Sequence, residues 1–181
     1  MIIETVRYVA GLMADETGGI NVKLAAIGLD STVAGVEDTR PADINAVINE
    51  FDHDIAARRQ VPEDGGQAAP YMEVYQATEI EGDGWATTSK VDSGSVPIAI
   101  MFVIRDSDTA TANLAGAYYT RCALQVINSD AAGDSSNRER NSIQVIQHST
   151  VTVVPPFVPI GSEVTTRGMI VTFTTRDLDA T

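Results

Sequence analysis

The strongest constraint in this sequence is an unbroken apolar run that passes directly into a helical pattern. Residues 96–104 read Val-Pro-Ile-Ala-Ile-Met-Phe-Val-Ile, and a polar turn at residues 105–108 ends the run. A short run that is rich in β-branched and aromatic residues and bounded by turn residues is typical of a central strand buried on both faces. We therefore expect the helix that follows to cover one of those faces.

This helix carries more apolar residues than one packing face needs. Its main stripe repeats at the spacing of a 3.6-residue helix. The residues of the stripe are Leu114, Ala115, Tyr118, Tyr119, Cys122 and Val126. Leu124 and Ile127 fall outside it, so we expect them to contact either a second layer of the same domain or another subunit. The single cysteine lies on the stripe, where a buried core residue is expected rather than a nucleophile.

Length and charge limit the classes of protein to which the chain can belong. Its 181 residues predict a single domain that spans residues 1–181. The net charge of -13 argues against a protein that wraps DNA, because phosphate binding depends on Lys and Arg. No apolar run approaches the roughly 20 residues of a membrane span, and no basic leader begins the chain. We expect a protein without a membrane anchor that is made and kept in a cytoplasm.

The N-terminal part of the sequence predicts helices. Apolar residues at helical spacing predict one helix over residues 2–14 and a short second helix over residues 20–27. Apolar residues within residues 41–59 also recur at helical intervals and predict a third helix. Polar or glycine-rich stretches predict mobile surface loops at residues 30–40, 61–69 and 129–141.

The C-terminal part of the sequence predicts strands. A period of two predicts a half-exposed strand over residues 71–80, with a return strand over residues 85–91. Residues 143–154 and 164–174 are dense in Val, Ile and Thr and predict a closing pair of strands. Two successive prolines between them must lie in a turn or at a sheet edge. Together these elements predict an α+β fold, with a mainly antiparallel β-sheet packed against helices.

Few titratable residues form a pattern that suggests catalysis. Asp52, His53 and Asp54 are potential metal ligands, but neighbours on a helix point about 100° apart, so a solvated helix face is expected. His148 lies in a predicted strand without a nearby acid, and the sequence contains no nucleophile elbow and no phosphate-binding loop. We therefore predict no catalytic residue, no metal and no cofactor.

Asp106 and Asp108 carry the enzymatic alternative. They follow the buried strand, where α/β enzymes place catalytic acids, and a small hydrolase-like or ligand-binding enzyme would use them in a pocket. They also lie where the N-cap of the next helix belongs. The two interpretations differ in one observable, because capping leaves the acids exposed whereas catalysis requires a pocket that holds them.

The order of elements resembles that of small structural proteins of tailed bacteriophages. The resemblance rests on the opening segment at residues 2–7, on the phrase Gly-Gly-Ile-Asn-Val-Lys-Leu-Ala-Ala at residues 18–26, and on the strand-helix-strand-strand order that ends the chain. In these features the chain resembles the tail terminator family and related tail-completion and neck proteins.

This resemblance implies a non-enzymatic virion protein that is assembled in the host cytoplasm. Terminator proteins form a ring, commonly a hexamer, which caps the completed tail tube, ends its polymerisation and joins it to the head connector. The implied partners are further copies of the chain, the tail tube protein and the head–tail connector protein. Genomic DNA would pass the lumen without specific binding, which an acidic wall would favour. Related alternatives are another head–tail connector, a head-completion protein or a tail-tube protein.

A ring subunit needs two different surfaces that meet head to tail. The apolar pair outside the helix stripe and the small basic islands of this acidic chain are the candidates for those surfaces, because arginines can pair with acids on an identical neighbour. The candidate interface residues are Leu124, Ile127, Arg58, Arg59, Arg138 and Arg140.

Overall fold

The chain folds into one six-stranded sheet with helices packed on it, an α+β architecture as predicted. The computed structural model describes residues 2–27, 40–60, 62–77, 93–131, 139–140, 143–157 and 164–177. The helices are α1 (Ile2–Ala14), α2 (Ile20–Ala26), α3 (Ile55–Arg58) and α4 (Thr109–Ala131), and Pro62–Asp64 forms a 3₁₀ turn. The strands are β1 (Val47–Asn49), β2 (Tyr71–Gln76), β3 (Ser93–Arg105), β4 (Glu139–Arg140), β5 (Ile143–Phe157) and β6 (Val164–Asp177).

The sheet is mainly antiparallel, which confirms the prediction. Its strand order is β1-β2-β3-β6-β5-β4, and among the strand pairs of the described ranges only β1 and β2 run parallel. β3 lies between β2 and β6, so the apolar run forms a central strand. Its register places Ile100 opposite Val74 on one side and opposite Met169 on the other.

The main core lies between the sheet and three helices, α1, α2 and α4. Side chains alternate along β3, and Ile98, Ile100 and Phe102 enter this core with 0% exposure. The ring of Phe102 meets the ring of Tyr119 on α4 in a tilted arrangement, with 5.5 Å between centroids. Burial of each such large side chain contributes about 2 kcal/mol. The predicted cover of one face of β3 by the following helix is therefore confirmed.

The extra apolar residues of α4 are used inside the same chain. Ile127 is 2% exposed in the main core, and Leu124 is half-buried against it, since α4 contacts α1 and α2 as well as the sheet. Leu114 was assigned to the buried stripe, and this prediction is wrong, because it is 38% exposed. At this end of α4 the buried face is that of Ala112, and Leu114 lies two residues, about 200°, further around the helix.

The prediction of one helix over residues 41–59 is wrong. The segment instead contains β1, a turn and the four-residue α3. The side-chain oxygen of Asn49 accepts hydrogen bonds from the backbone N–H groups of Phe51, at 3.1 Å, and Asp52, at 3.0 Å. Such local bonds compete with a helix. Pairing of β1 with β2 then overrides the helical spacing of the apolar residues.

The three predicted loops have different outcomes in the structure. The loop at residues 30–40 lies almost entirely outside the described residues, as does the strand predicted over residues 85–91. Residues 62–69 contain the 3₁₀ turn and Gly65, whose φ of 87° favours glycine. The loop predicted at residues 129–141 is wrong at both ends, because α4 continues to Ala131 and β4 forms at Glu139–Arg140. Mobility of these loops stays a prediction.

The successive prolines Pro155 and Pro156 lie within β5. They occupy a shift of register between Val154 and Phe157, so the chain continues as a strand and does not turn at this point. β6 pairs with one side of β5, whereas beyond residue 144 no strand of the described part pairs with the other side. The prolines are therefore at a sheet edge, where a missing N–H group is tolerated.

β3 and β6 approach closely at Gly168 of β6, and a substitution there tests whether this approach is required. A Cβ atom there would lie 2.1 Å from the carbonyl oxygen of Ile100 and 2.9 Å from the Cα of Met101. We expect Gly168→Ala to lower the free energy of unfolding by about 3 kcal/mol, because the backbone of the central strand has to move. Urea denaturation followed by circular dichroism measures this change. Gly18→Ala is the control, since its Cβ would meet nothing within 4 Å, and an equal loss in both variants would contradict the explanation.

Candidate functional site

The face of the sheet turned away from α1, α2 and α4, here called the second face, carries a groove of about 350 Å³. Residues from β2, β3, β5 and β6 line the groove, together with the residue that follows α3. The lining residues are Arg59, Tyr71, Glu73, Tyr75, Met101, Val103, Phe157, Val164 and Thr166. The walls are thus mainly aromatic and aliphatic, with one acid and one base among them.

β2 supplies the buried floor of the groove. The prediction of a half-exposed strand is wrong, because Tyr71 and Glu73 are 1% and 0% exposed. The period of two is correct, but both sides of the strand are covered. Met72 and Val74 enter the main core, while Tyr71 packs in a smaller apolar cluster on the second face. A buried glutamate in such a place needs a compensating charge.

Arg59 supplies that charge. Its Nε donates to Glu73 Oε1 at 2.8 Å and its Nη2 donates to Glu73 Oε2 at 2.5 Å, a bidentate pair. These hydrogen bonds raise the pKa of the guanidinium. The Glu73 side chain is 1% exposed, whereas that of Arg59 is 54% exposed. The pair therefore closes the floor of the groove and leaves about half of the surface of the Arg59 side chain exposed at its rim.

The short helix α3 holds Arg59 over the sheet. The side chain of Asp54 caps α3, since its Oδ1 accepts from the backbone N–H of Ala57 at 3.1 Å. The hydroxyl of Tyr71 donates to the carbonyl oxygen of Arg58 at 3.4 Å, and Ile55 packs against the apolar cluster of the second face. The cap orders α3 itself, and the other two contacts fix this segment to the sheet.

The tyrosines of the groove stay neutral at physiological pH. Burial, aided by the nearby Glu73 charge, raises the pKa of Tyr71 to about 12. Burial also raises the pKa of Tyr75. The charges of Arg59 and Arg105 act on the pKa of Tyr71 in the opposite direction. The groove therefore offers aromatic walls, hydroxyl groups and a cationic rim, and no tyrosinate base.

The sequence analysis did not identify this groove. Glu73 lies in an alternating strand where an exposed side chain is expected, and its partner is 14 residues away. Phe157 follows two prolines and lies between the predicted strands at residues 143–154 and 164–174, where local sequence indicates no binding role. One sequence signal could have marked the site: the tyrosines on each side of Glu73 share its strand face, which is unusual for a solvated acid.

The acidic turn after β3 is a helix cap. Asp108 Oδ2 accepts from the side-chain hydroxyl of Thr111 at 2.5 Å and from its backbone N–H at 3.2 Å, and Oδ1 accepts from the backbone N–H of Ala110 at 3.2 Å. These bonds lower the pKa of Asp108. Asp106 accepts from the backbone N–H of Asp108 at 2.8 Å. Asp108 is exposed, Asp106 is half-buried, and neither lines the groove, so this geometry favours the capping interpretation.

Asp52, His53 and Asp54 lie in and after a turn rather than on a helix face. Arg7 donates from Nε to Asp52 Oδ1 at 3.1 Å, which lowers the pKa of that carboxyl group, and Asp54 caps α3. Within the described ranges, no three potential ligands come together to hold a metal ion. The side chain of His148 lies outside the described residues.

The predicted interface residues are not brought into one surface. Arg58 and Arg59 follow one another at the end of α3 on the second face, whereas the two apolar candidates lie on α4 in and against the main core. Arg138 lies outside the described residues, and Arg140 belongs to β4, with its side chain outside them too. Of the described candidates, Arg59 is the residue that lines the groove.

Comparisons with known proteins do not assign this chain to a family, since no family model and no curated protein matches it.

Cys122 is buried, as predicted, and burial raises the pKa of its thiol. In the part of the chain that the structure describes, no helix is both long and apolar enough to cross a membrane.

The buried ion pair predicts an unequal response to two arginine substitutions. We expect Arg59→Met to lower the free energy of unfolding by about 2 kcal/mol, less than for a fully buried pair, because it leaves Glu73 buried without a counterion. The double variant Arg59→Met/Glu73→Leu should regain most of that loss. Arg40→Met is the control, because the Arg40–Asp43 pair is exposed on both sides. Urea denaturation tests this, and a double variant no more stable than Arg59→Met would contradict it.

The cap of α4 predicts a pH dependence. Because the pKa of Asp108 is lowered in the folded protein, its contribution to stability is present above the unfolded pKa and is lost as pH falls through the folded pKa. We expect wild type to be more stable than Asp108→Asn at neutral pH, with the difference shrinking below about pH 5. Thermal unfolding at a series of pH values measures it. A difference that is constant down to about pH 2 would contradict this role.

Proposed function

We propose that this chain is a non-enzymatic virion protein of a tailed bacteriophage. It assembles into a ring at the head–tail junction, caps the tail tube, ends tube polymerisation and joins the tube to the head connector. The element order and the phrase at residues 18–26 support the family resemblance on which this proposal rests. The α+β fold with a mainly antiparallel sheet is compatible with it.

The observation that carries the proposal is the position of exposed apolar side chains on more than one side of the domain. Phe157 is 63% exposed at the groove of the second face. Leu114, at 38%, and Ile3, at 41%, are exposed on the helical layer, and Phe51, at 39%, is exposed in the turn after β1. A closed ring needs two different surfaces on each copy, because head-to-tail contacts join unlike patches.

Charge supports the same proposal. The chain carries 25 acidic and 12 basic side chains, so most of its surface repels phosphate at neutral pH. A ring built from it can surround a DNA passage without holding the genome in place. A surface potential map of an assembled ring tests this part, and a basic inner wall would contradict it.

The direct test is assembly on tail tubes. Sedimentation velocity of the purified chain, alone and mixed with tubes made of tube protein, should show the chain joining the tubes, and electron microscopy should show a ring at the tube end. A chain that polymerises by itself into long tubes would instead support the tail-tube alternative. A chain that stays monomeric and never joins tubes or connectors would contradict the proposal.

A point substitution on the second face should block assembly without unfolding the protein. We expect Phe157→Glu to abolish ring formation, because it places a charge on an exposed apolar side chain at the groove. Ala25→Glu, at an exposed position of α2, is the matched control and should assemble like wild type. Circular dichroism confirms folding of both variants. Normal rings from Phe157→Glu would exclude the second face from the subunit contact.

A further inference from the structure

We propose that the groove on the second face is one half of the ring contact and that the turn at residues 50–54 of a second copy is its occupant. The inference rests on the head-to-tail assembly proposed above and names the surfaces that meet. In it, the Phe51 side chain of one copy enters the groove of the next copy. Three properties of the described residues support this occupant: the charge around the groove, the charge and shape of the turn, and the size of the groove.

The rim of the groove is basic in a chain that is acidic overall. Arg59 is 54% exposed there. Arg58, which precedes it, and Arg105, whose Nη2 donates to the carbonyl oxygen of Gln60 at 3.2 Å, are half-buried beside the lining residues. The one acid that lines the groove, Glu73, is buried under Arg59. Against a net charge of -13, this rim attracts an acidic segment and is selective among the surfaces that an identical copy can offer.

The turn at residues 50–54 has the complementary character. Its sequence is Glu-Phe-Asp-His-Asp, with the aromatic ring 39% exposed and all three carboxylates exposed. All three carboxylates have partners within the same chain: Asp52 pairs with Arg7, Glu50 Oε1 accepts from the backbone N–H of Gln76 at 2.6 Å, and Asp54 caps α3. Their charges are held close to Phe51 by these contacts. An aromatic side chain flanked by acids matches an aromatic groove edged by arginines.

The turn is held in one conformation before any contact forms. The Asn49 side chain accepts from the backbone N–H groups of Phe51 and Asp52, and the backbone N–H of Glu50 donates to the carbonyl oxygen of Val74 at 3.3 Å. A segment that is already ordered loses little conformational entropy on docking. These bonds also tie the turn to the ends of β1 and β2, and Phe51 does not line the groove of its own chain. Phe51 can therefore enter the groove only of another copy.

The volume of the groove fits one large side chain. About 350 Å³ lies near the lower end of the range for binding pockets, ~300–1,000 Å³. Tyr71, Tyr75 and Phe157 provide aromatic surfaces, which favour edge or offset contacts with another ring.

The rival occupants among the exposed apolar residues of the described part are Ile3, Leu114 and Val153. The sequence neighbours of Leu114 and Val153 carry no charge, and Ile3 is aliphatic with one acidic neighbour, Glu4. Phe51, in contrast, is aromatic and has acids on both sides.

Site-specific photocrosslinking tests the contact directly. Phe51 is replaced by p-benzoylphenylalanine, which keeps an aromatic side chain, and the same replacement at Leu114 is the matched control. Unlabelled and ¹⁵N-labelled chains are mixed, assembled on tail tubes and irradiated, so that mass spectrometry identifies crosslinks between copies. We expect the Phe51 probe, and not the Leu114 probe, to react with groove peptides that contain Met101 or Phe157 of the other copy.

Measurements of self-association provide a second test of the contact. We expect Phe51→Ser to weaken self-association about tenfold or more, as for a central aromatic contact, and Leu114→Ser to change it little. A mixture of Phe51→Ser and Phe157→Glu should form one-to-one dimers but no rings, because each variant keeps one intact surface. Raising the salt concentration should weaken the wild-type contact, since screening reduces the attraction between rim and turn.

The outcomes separate this inference from the proposed function. Rings that form normally from Phe51→Ser, or Phe51 crosslinks that fall outside the groove, overturn the Phe51 contact and leave ring assembly standing. A wild-type chain that never self-associates, alone or on tubes, overturns both. Crosslinks into the groove together with dimers from the mixed variants establish the contact.

Discussion

The structure depends on one constraint: β3 is apolar on both of its sides, so both faces of the sheet around it have to be covered. The helical layer meets this need on one face, where Ile98, Ile100 and Phe102 are fully buried. On the second face the cover is shorter, because α3 and the segment after it reach only part of the sheet. The groove is the place where that cover ends, which explains why apolar side chains and a buried charge occur together there.

Much of the fold could be predicted because it follows from local periodicity. The apolar residues of α1, the run that forms β3 and the Val- and Thr-rich pattern of β6 repeat at the spacing of the structures they form. Prediction failed where tertiary contacts decide. Ile44, Ile48 and Phe51 share a helical spacing, yet pairing with β2 makes a strand of the middle of that segment, since a single parallel neighbour is not visible in local sequence.

The candidate site was less predictable than the fold, for a related reason. The acids that seemed most informative in sequence, Asp106 and Asp108, make bonds within a few residues of themselves. The charged pair that shapes the groove, Glu73 and Arg59, is joined by the packing of α3 on the sheet. Whether Arg59 meets solvent, its own acid or a neighbouring chain depends on that packing, so a count of charges along the sequence could not separate these environments.

The two prolines of β5 limit how the edge of the sheet can pair with the backbone of another chain. Proline has no N–H group, so the two prolines remove two backbone donors from this end of the edge strand. The end of β5 at Pro155 and Pro156 therefore offers a poor template for backbone pairing with another chain. At this end of the edge, side chains rather than the peptide backbone are the groups available for contact with another molecule.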